Sequence, residues 1–194
     1  MRVSNEEKQK SRARILQAAS RRFREHGIEE TGLADIMKDA GLTHGGFYKH
    51  FPDKDALVRE ALAEAFDSVP SSLAGASHDV RATEFRTLYL SPGHRDASGI
   101  GCPIVALGGQ VARMDQATRR VMTQGVESWI AFLREEQNGE SLSRADAIRQ
   151  LVEMVGAVLV ARAVEGPLSD EILTVIREVE PQDLRRKDVG GGKE

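Results

Sequence analysis

The chain has 194 residues, 29% charged and 40% hydrophobic, with 27 Lys and Arg against 30 Asp and Glu for a net charge of −3. This length holds a buried core in one domain or two small lobes, and the charge balance excludes a protein covered in nucleic acid over its whole surface. A single cysteine, Cys102, excludes an intramolecular disulfide and fits a reducing cytoplasm; the charged start lacks the apolar core of a signal peptide, and no apolar run reaches bilayer length, so no membrane is expected as a partner.

Residues 6–26 read as the first helix, with Ile15, Ala18, Ala19 and Phe23 on one face and Gly27 as the stop. Arg2, Lys8, Lys10, Arg12, Arg14, Arg21, Arg22 and Arg24 crowd the first 24 residues, opposed only by Glu6 and Glu7. A basic front end on an acidic body is what localised phosphate contact needs. A solvated basic helix face accounts for this segment alone equally well.

Residues 31–57 carry the most information. Thr31 is placed to cap a first segment in which Leu33, Ile36 and Met37 share a face. Gly41 supplies the left-handed residue of a tight turn. Thr43 caps the next segment, whose inner side holds Phe47 and Phe51, four apart. Its other side carries His44, Gly46, Tyr48, Lys49 and His50. A short helix with an apolar back and a small, cationic, hydrogen-bonding front suits the DNA major groove.

This stretch resembles the tetracycline-repressor (TetR) family of bacterial transcriptional regulators. The matching positions are Thr31, Ile36, Ala40, Gly41, Leu42, Thr43, Gly45, Phe47, Tyr48, His50, Phe51, Lys54, Asp55 and Leu57. Met37 stands where that pattern has a small residue, Gly46 where it has Thr or Ala, and Lys49 where an aromatic or basic residue is common. The resemblance implies DNA contacts from Thr31, Thr43, His44, Gly46, Tyr48, Lys49 and Lys54. Tyr48 and Lys54 suit phosphates, Lys54 because it lies at a helix N-terminus. Lys49, His44 and Gly46 suit base edges, while His50 is as much structural as functional.

Further along, Pro52 breaks the chain, Asp53 caps, and a helix over 53–69 turns Leu57, Ala61, Leu62 and Ala65 inward. Pro70, Ser71, Ser72 and Gly75 mark a bend or boundary. A short helix over 80–90 closes at Ser91-Pro92-Gly93, and the polar stretch to Gly101 reads as a mobile loop. Residues 103–114 form a helix weakened by Gly108 and Gly109. Asp115 caps a long segment with Ala117, Val121, Met122, Val126, Trp129, Ile130 and Leu133 at helical spacing, ending at Asn138-Gly139. Ser143 and Asp146 open a helix that is apolar on most sides over 148–164. After Gly166-Pro167, Ser169 caps a last helix striped by Ile172, Leu173, Ile176 and Val179, up to Pro181. No alternation of period two persists, so the fold is expected to be all-α. It divides into a helix-turn-helix lobe over 1–52, a helical lobe over 53–181 and a disordered tail over 182–194.

A helix apolar nearly all round is buried from several sides. Leu151, Val155, Val158, Leu159 and Arg162, with Gly156, Ala157, Ala161 and Ala163 between them, suit packing against a second copy; the alternative is a purely intramolecular core helix. The resemblance implies a homodimer through the last two long helices, to which Ile172 and Ile176 belong. Phe85, Tyr89, Met114, Met122, Trp129 and Phe132 read as interior residues of the second lobe. The resemblance implies that Phe85, Tyr89, Cys102, Val105, Met122, Val126 and Trp129 face a small-molecule effector. Cys102 reads either as a small buried hydrophobe or as a thiol that senses electrophiles or oxidants at a helix start. No cofactor or metal is expected: the five histidines lack ligand spacing, and Gly190-Gly191-Gly192-Lys193 lacks the form of a phosphate loop. The expected function is a regulator, most simply a repressor, that binds a palindromic operator in double-stranded DNA and is released by an effector. The alternatives are a small helical transferase using Cys102 and a protein-binding adaptor.

Overall fold

Every regular element among the described residues is helical. The computed structural model describes residues 5–74, 82–134 and 142–178. In chain order these hold α1 (Asn5–His26), α2 (Leu33–Asp39), a 3-10 helix (His44–Lys49), α3 (Lys54–Ala74), α4 (Ala82–Tyr89) and α5 (Pro92–Asp96). A 3-10 turn (Ser98–Ile100), α6 (Pro103–Val111), α7 (Gln116–Leu133), α8 (Arg144–Ala163) and α9 (Pro167–Glu178) complete them. No helix among the described residues is long and apolar enough to cross a membrane.

The local signals explain most boundaries. Gly27 ends α1 and donates its N–H to the Phe23 carbonyl at 2.8 Å. Asp115 Oδ1 accepts from the amides of Ala117 at 2.7 Å and Thr118 at 3.1 Å, opening α7. The Ser143 side chain accepts from the Asp146 amide, opening α8. Four expectations need correction. α3 runs through Pro70 to Ala74, where the sequence placed a bend or boundary. The segment expected as a loop over 93–101 is α5 followed by the 3-10 turn. Ser91 Oγ accepts from the His94 amide at 3.2 Å and so caps α5. Ser169 is no cap: it lies buried inside α9, donating to the Ala161 carbonyl at 2.6 Å. The fourth is Thr31, treated below. Gly75, Asn138, Gly139, Val179, Pro181 and the tail over 182–194 lie outside the described residues.

The described residues fall into two compact units, one within 1–72 and 97–126, the other within 73–96 and 127–194. This differs from the boundary expected at 52/53, because α1 packs on the Ser98–Ile100 turn and on α6. Two side-chain bonds fix that packing. Arg24, buried in α1, donates to the Gly101 carbonyl at 3.0 Å, and Gln110 of α6 accepts from the Ile28 amide at 2.8 Å. The core of the first unit comprises Ile15, Phe23, Ile36, Met37, Phe47, Phe51 and Leu57 among others. Each such side chain stabilises the fold by about 1.5–3 kcal/mol.

In the second unit, α8 packs against α9 and α5. Its interior is aromatic: Phe85 lies 5.8 Å from Trp129 and 5.3 Å from Phe132, and Tyr89 6.2 Å from Trp129, all edge-on between ring centroids. His94 is buried with Nδ1 2.7 Å from the Tyr89 carbonyl. Arg162 donates to the carbonyls of Arg95 at 2.8 Å and His94 at 3.1 Å, which ties α8 to α5.

Candidate nucleic-acid interface

The turn between α2 and the 3-10 helix follows from Gly41. At φ +68° it takes the left-handed conformation, its N–H bonding the Lys38 carbonyl at 3.0 Å. The next amide, Leu42, bonds the Met37 carbonyl at 2.9 Å, so the pair closes α2 as a Schellman motif. The 3-10 helix is anchored from within. Phe47 and Phe51 are buried and stacked at 5.8 Å between centroids. The opposite side is exposed: His44, Gly45, Lys49 and Tyr48, the last at 66%. Gly46 is half-buried. Thr43 is exposed and takes the N-cap position without a side-chain cap bond. Lys54 opens α3 and is half-buried; Asp53 caps that helix, its Oδ1 accepting from the Ala56 amide at 2.7 Å.

Thr31 departs from expectation. Gly32, not Thr31, is the N-cap of α2. The Thr31 hydroxyl turns inward and donates to the Gly27 carbonyl at 2.6 Å, with the residue almost wholly buried. A backbone carbonyl at the α1 terminus needs a donor, and Thr31 supplies it instead of facing outward.

The basic run divides by role, which spacing did not reveal. Arg22 holds Asp39 through two bonds at 2.6 and 3.1 Å and Arg21 adds a third at 3.0 Å, clamping α1 to α2. Arg24 is interior, where burial pushes its pKa down against the pull of Glu64, Cys102 and Glu25. Arg12 pairs with Glu60 and lies 4.6 Å over the Phe51 ring. His50 has its Nδ1 buried with no hydrogen-bond partner among the described residues. Burial pushes its pKa down, and the charges of Lys8, Arg12 and Lys49 push the same way. Lys8 and Arg12 of α1 and Lys49 of the 3-10 helix thus act on the same imidazole, with Arg12 itself held by Glu60.

The Arg22 and Arg21 bonds hold the Asp39 carboxyl below its ordinary range. A carboxyl with a depressed folded pKa contributes stability above its unfolded pKa and loses it as pH falls through the folded value. Urea midpoints of the wild type should therefore fall as pH drops below about 4. Asp39→Asn should lower the midpoint at pH 7 and flatten that acid limb; an unchanged midpoint would show that the clamp is only a surface pair.

The residues expected around an effector fall in both units. Phe85, Tyr89 and Trp129 meet in the second unit, whereas Cys102, Val105, Met122 and Val126 belong to the first. Cys102 is 0% exposed, and Val105, Met122 and Val126 are half-buried. A pocket of about 370 Å³ in the second unit is polar, lined by Arg95, Asp96, Arg162, Ser169 and Asp170 among others, and contains none of those seven. The residues expected at a dimer interface also divide. Leu151 and Val158 are buried within their own unit and Arg162 serves the α5–α8 tie, so these three are not free surface. Leu159 is exposed, and Val155, Ile172 and Ile176 are half-buried. Exposed apolar residues of α8 and α9 that the sequence reading did not name as interface are Ile148, Val152, Val160, Leu168 and Val175. No group of His, Cys, Asp and Glu that could hold a metal occurs among the described residues.

Residues 15–61 match the family model described as "Bacterial regulatory proteins, tetR family". The HTH-type transcriptional regulator TtgR of Pseudomonas putida is 43% identical over 77 residues, which are 40% of this chain and 36% of that protein. The chain thus spans about a third of the length of that relative. The HTH-type transcriptional regulator LmrA of Bacillus subtilis (strain 168) is 27% identical over 161 residues, 78% of this chain and 86% of LmrA. Among solved structures, a TetR transcriptional regulator from Chloroflexus aurantiacus superposes with a TM-score of 0.69 at 24% identity, covering 89% of this chain and 94% of that one.

Proposed function

We propose that the chain, residues 15–61 of which match the family model of tetR bacterial regulatory proteins, is a cytoplasmic transcriptional regulator that binds a palindromic operator in double-stranded DNA as a homodimer. The observation that carries this reading is the 3-10 helix His44–Lys49. Phe47 is locked into the core behind it, while His44, Tyr48 and Lys49 stand exposed in front. Fixed backing and a free polar face are what insertion into a major groove requires. Tyr48, Thr43 and Lys54 contact phosphates, joined by Lys8; Lys49 and His44 address base edges. Thr31 is left out, since its hydroxyl is already used. The dimer pairs two recognition elements so that together they read related half-sites.

Bound at an operator, the dimer blocks transcription, and a small molecule in the second unit releases it by changing the separation of the two recognition elements. Phe85, Tyr89 and Trp129 pack on one another as the buried aromatic core of that unit. Full burial of Cys102 favours a core role over electrophile or oxidant sensing. A Cys102-dependent transferase and an adaptor gain no support, as the relatives are named transcriptional regulators.

Operator binding should weaken steeply with salt, since phosphate neutralisation supplies much of the affinity. Lys54→Ala should weaken binding to all sequences alike and make the salt slope shallower by about one. Lys49→Ala should instead relax preference at particular base pairs, by about 1–3 kcal/mol. Titrations by fluorescence anisotropy at several salt concentrations check both. Binding that is indifferent to salt and sequence would end the proposal.

A further inference from the structure

The C-terminal end of α1 is keyed into residues 98–111 at three points, all within the first unit. Arg24, buried, donates to the Gly101 carbonyl at 3.0 Å and to the carbonyl and hydroxyl of Ser20, both at 3.1 Å. Glu25 lies so close to buried Gly99 that a Cβ there would come within 2.2 Å of Glu25 Oε1. Gln110 Oε1 accepts from the Ile28 amide at 2.8 Å. Gly27, at φ +86°, lies beneath the same side chain, and a Cβ on it would meet Gln110 Nε2 at 2.8 Å. Glycine at 27 and 99 is what lets the two segments approach this closely.

α1 in turn carries the recognition element. It packs on α2, and Arg21 and Arg22 clamp it to Asp39. A tilt of α1, α2 and the 3-10 helix His44–Lys49 as one body therefore has to pull Arg24 off Gly101 and Ile28 off Gln110. The segment that holds α1 leads into α7, one unbroken helix over Gln116–Leu133, so the anchor is itself stiff. In a two-fold dimer, each base pair inserted between half-sites moves their centres apart by about 3.4 Å and turns them by about 35°. We infer that Arg24 and Gln110 are positioning residues that set operator spacing: by holding α1 on residues 98–111 they make the dimer reject half-sites one base pair nearer or farther than its own. This rests on the DNA-binding reading above. On an operator of wrong spacing the wild type has to break these bonds. A protein in which one is already missing has less to break there, so its penalty is smaller by the worth of that bond.

Selection from a random-sequence duplex pool supplies the wild-type operator, and versions with one or two base pairs added to or removed from its centre are titrated by fluorescence anisotropy. Wild type should bind the selected spacing best. Gln110→Ala, and Gln110→Met, which keeps the shape without the acceptor, should prefer it less. For both, the affinity ratio between the selected spacing and its one-base-pair neighbours should shrink by about two- to tenfold, the worth of one net hydrogen bond. Gln110→Glu, whose carboxylate still accepts from the Ile28 amide, should restore the wild-type ratio. A merely structural role would lower the unfolding temperature of the alanine and methionine variants and leave their spacing ratio untouched, which would overturn the inference. It is also overturned if Gln110→Glu loses spacing preference as far as the methionine variant does. A wild-type protein that selects no two-fold site would overturn the DNA-binding reading itself, a result distinct from these.

Discussion

Val152→Glu combined with Leu159→Glu is expected to yield a folded monomer that has lost its operator. On α8, Ile148, Val152, Val155 and Leu159 follow each other by four, three and four residues and form one stripe. Val152 is 64% and Leu159 51% exposed, so glutamate at either position costs the isolated protomer little. Leu168 and Val175 of α9 are exposed as well, so the last two helices both present uncovered apolar side chains. In a two-fold dimer each substitution enters the interface twice. An unpaired charge buried there costs about 3–5 kcal/mol, about two to three and a half orders of magnitude in dissociation constant. Operator affinity should fall with it, since a monomer holds one half-site. Light scattering and anisotropy measure the two losses, and circular dichroism should show an unchanged helix content. A double variant that remains dimeric would move the interface off this stripe. Val158→Glu makes the contrast: Val158 is 0% exposed in its own unit, so this variant should fail to fold.

That contrast shows where the sequence stops informing. The α8 sequence is apolar on most sides, and such a helix cannot be phased from its pattern. The inward row is Ala147, Leu151, Met154, Val158 and Ala161, while the outward row is displaced from it by a single residue. Both rows satisfy a period of 3.6, so only the packing partners α5 and α9 tell them apart. The helix-turn-helix was legible because its signals are local: a positive-φ glycine at Gly41, aromatic residues four apart at Phe47 and Phe51, and a capping aspartate at Asp53. The division of the basic run was hidden because it depends on residues distant in the chain. Asp39 claims Arg21 and Arg22, Gly101 claims Arg24, and Glu60 claims Arg12. Residues 91–101 misled for a different reason. Glycine, proline and serine there suggested a loop, but Pro92 and Ser91 start a short helix, and burial of His94 holds it in place.

Gly125→Ala is expected to be strongly destabilising for a change of a single methyl group. Gly125 lies within α7, where alanine is favoured over glycine by about 1 kcal/mol on helix propensity alone. Packing opposes this. A Cβ at position 125 would lie 2.2 Å from Cδ2 and 2.3 Å from Cγ of the Phe66 ring in α3, far inside van der Waals separation. Phe66 is only 2% exposed, so its ring cannot swing into solvent and must displace core neighbours instead. Overpacking of this kind costs about 1–3 kcal/mol and at times more, with the clash here at the severe end. The clash should therefore outweigh the gain in propensity and lower the unfolding temperature by about 5–10 °C for a chain of this size. Phe66→Leu supplies the decisive second variant, because the smaller side chain vacates part of the space that the new methyl needs. Alone it should destabilise by loss of buried surface. Combined with Gly125→Ala it should cost clearly less than the sum of the two single changes, a coupling that a double-mutant cycle reads directly. Strict additivity, or a Gly125→Ala variant more stable than wild type, would show that α3 and α7 do not approach as closely as Gly125 permits.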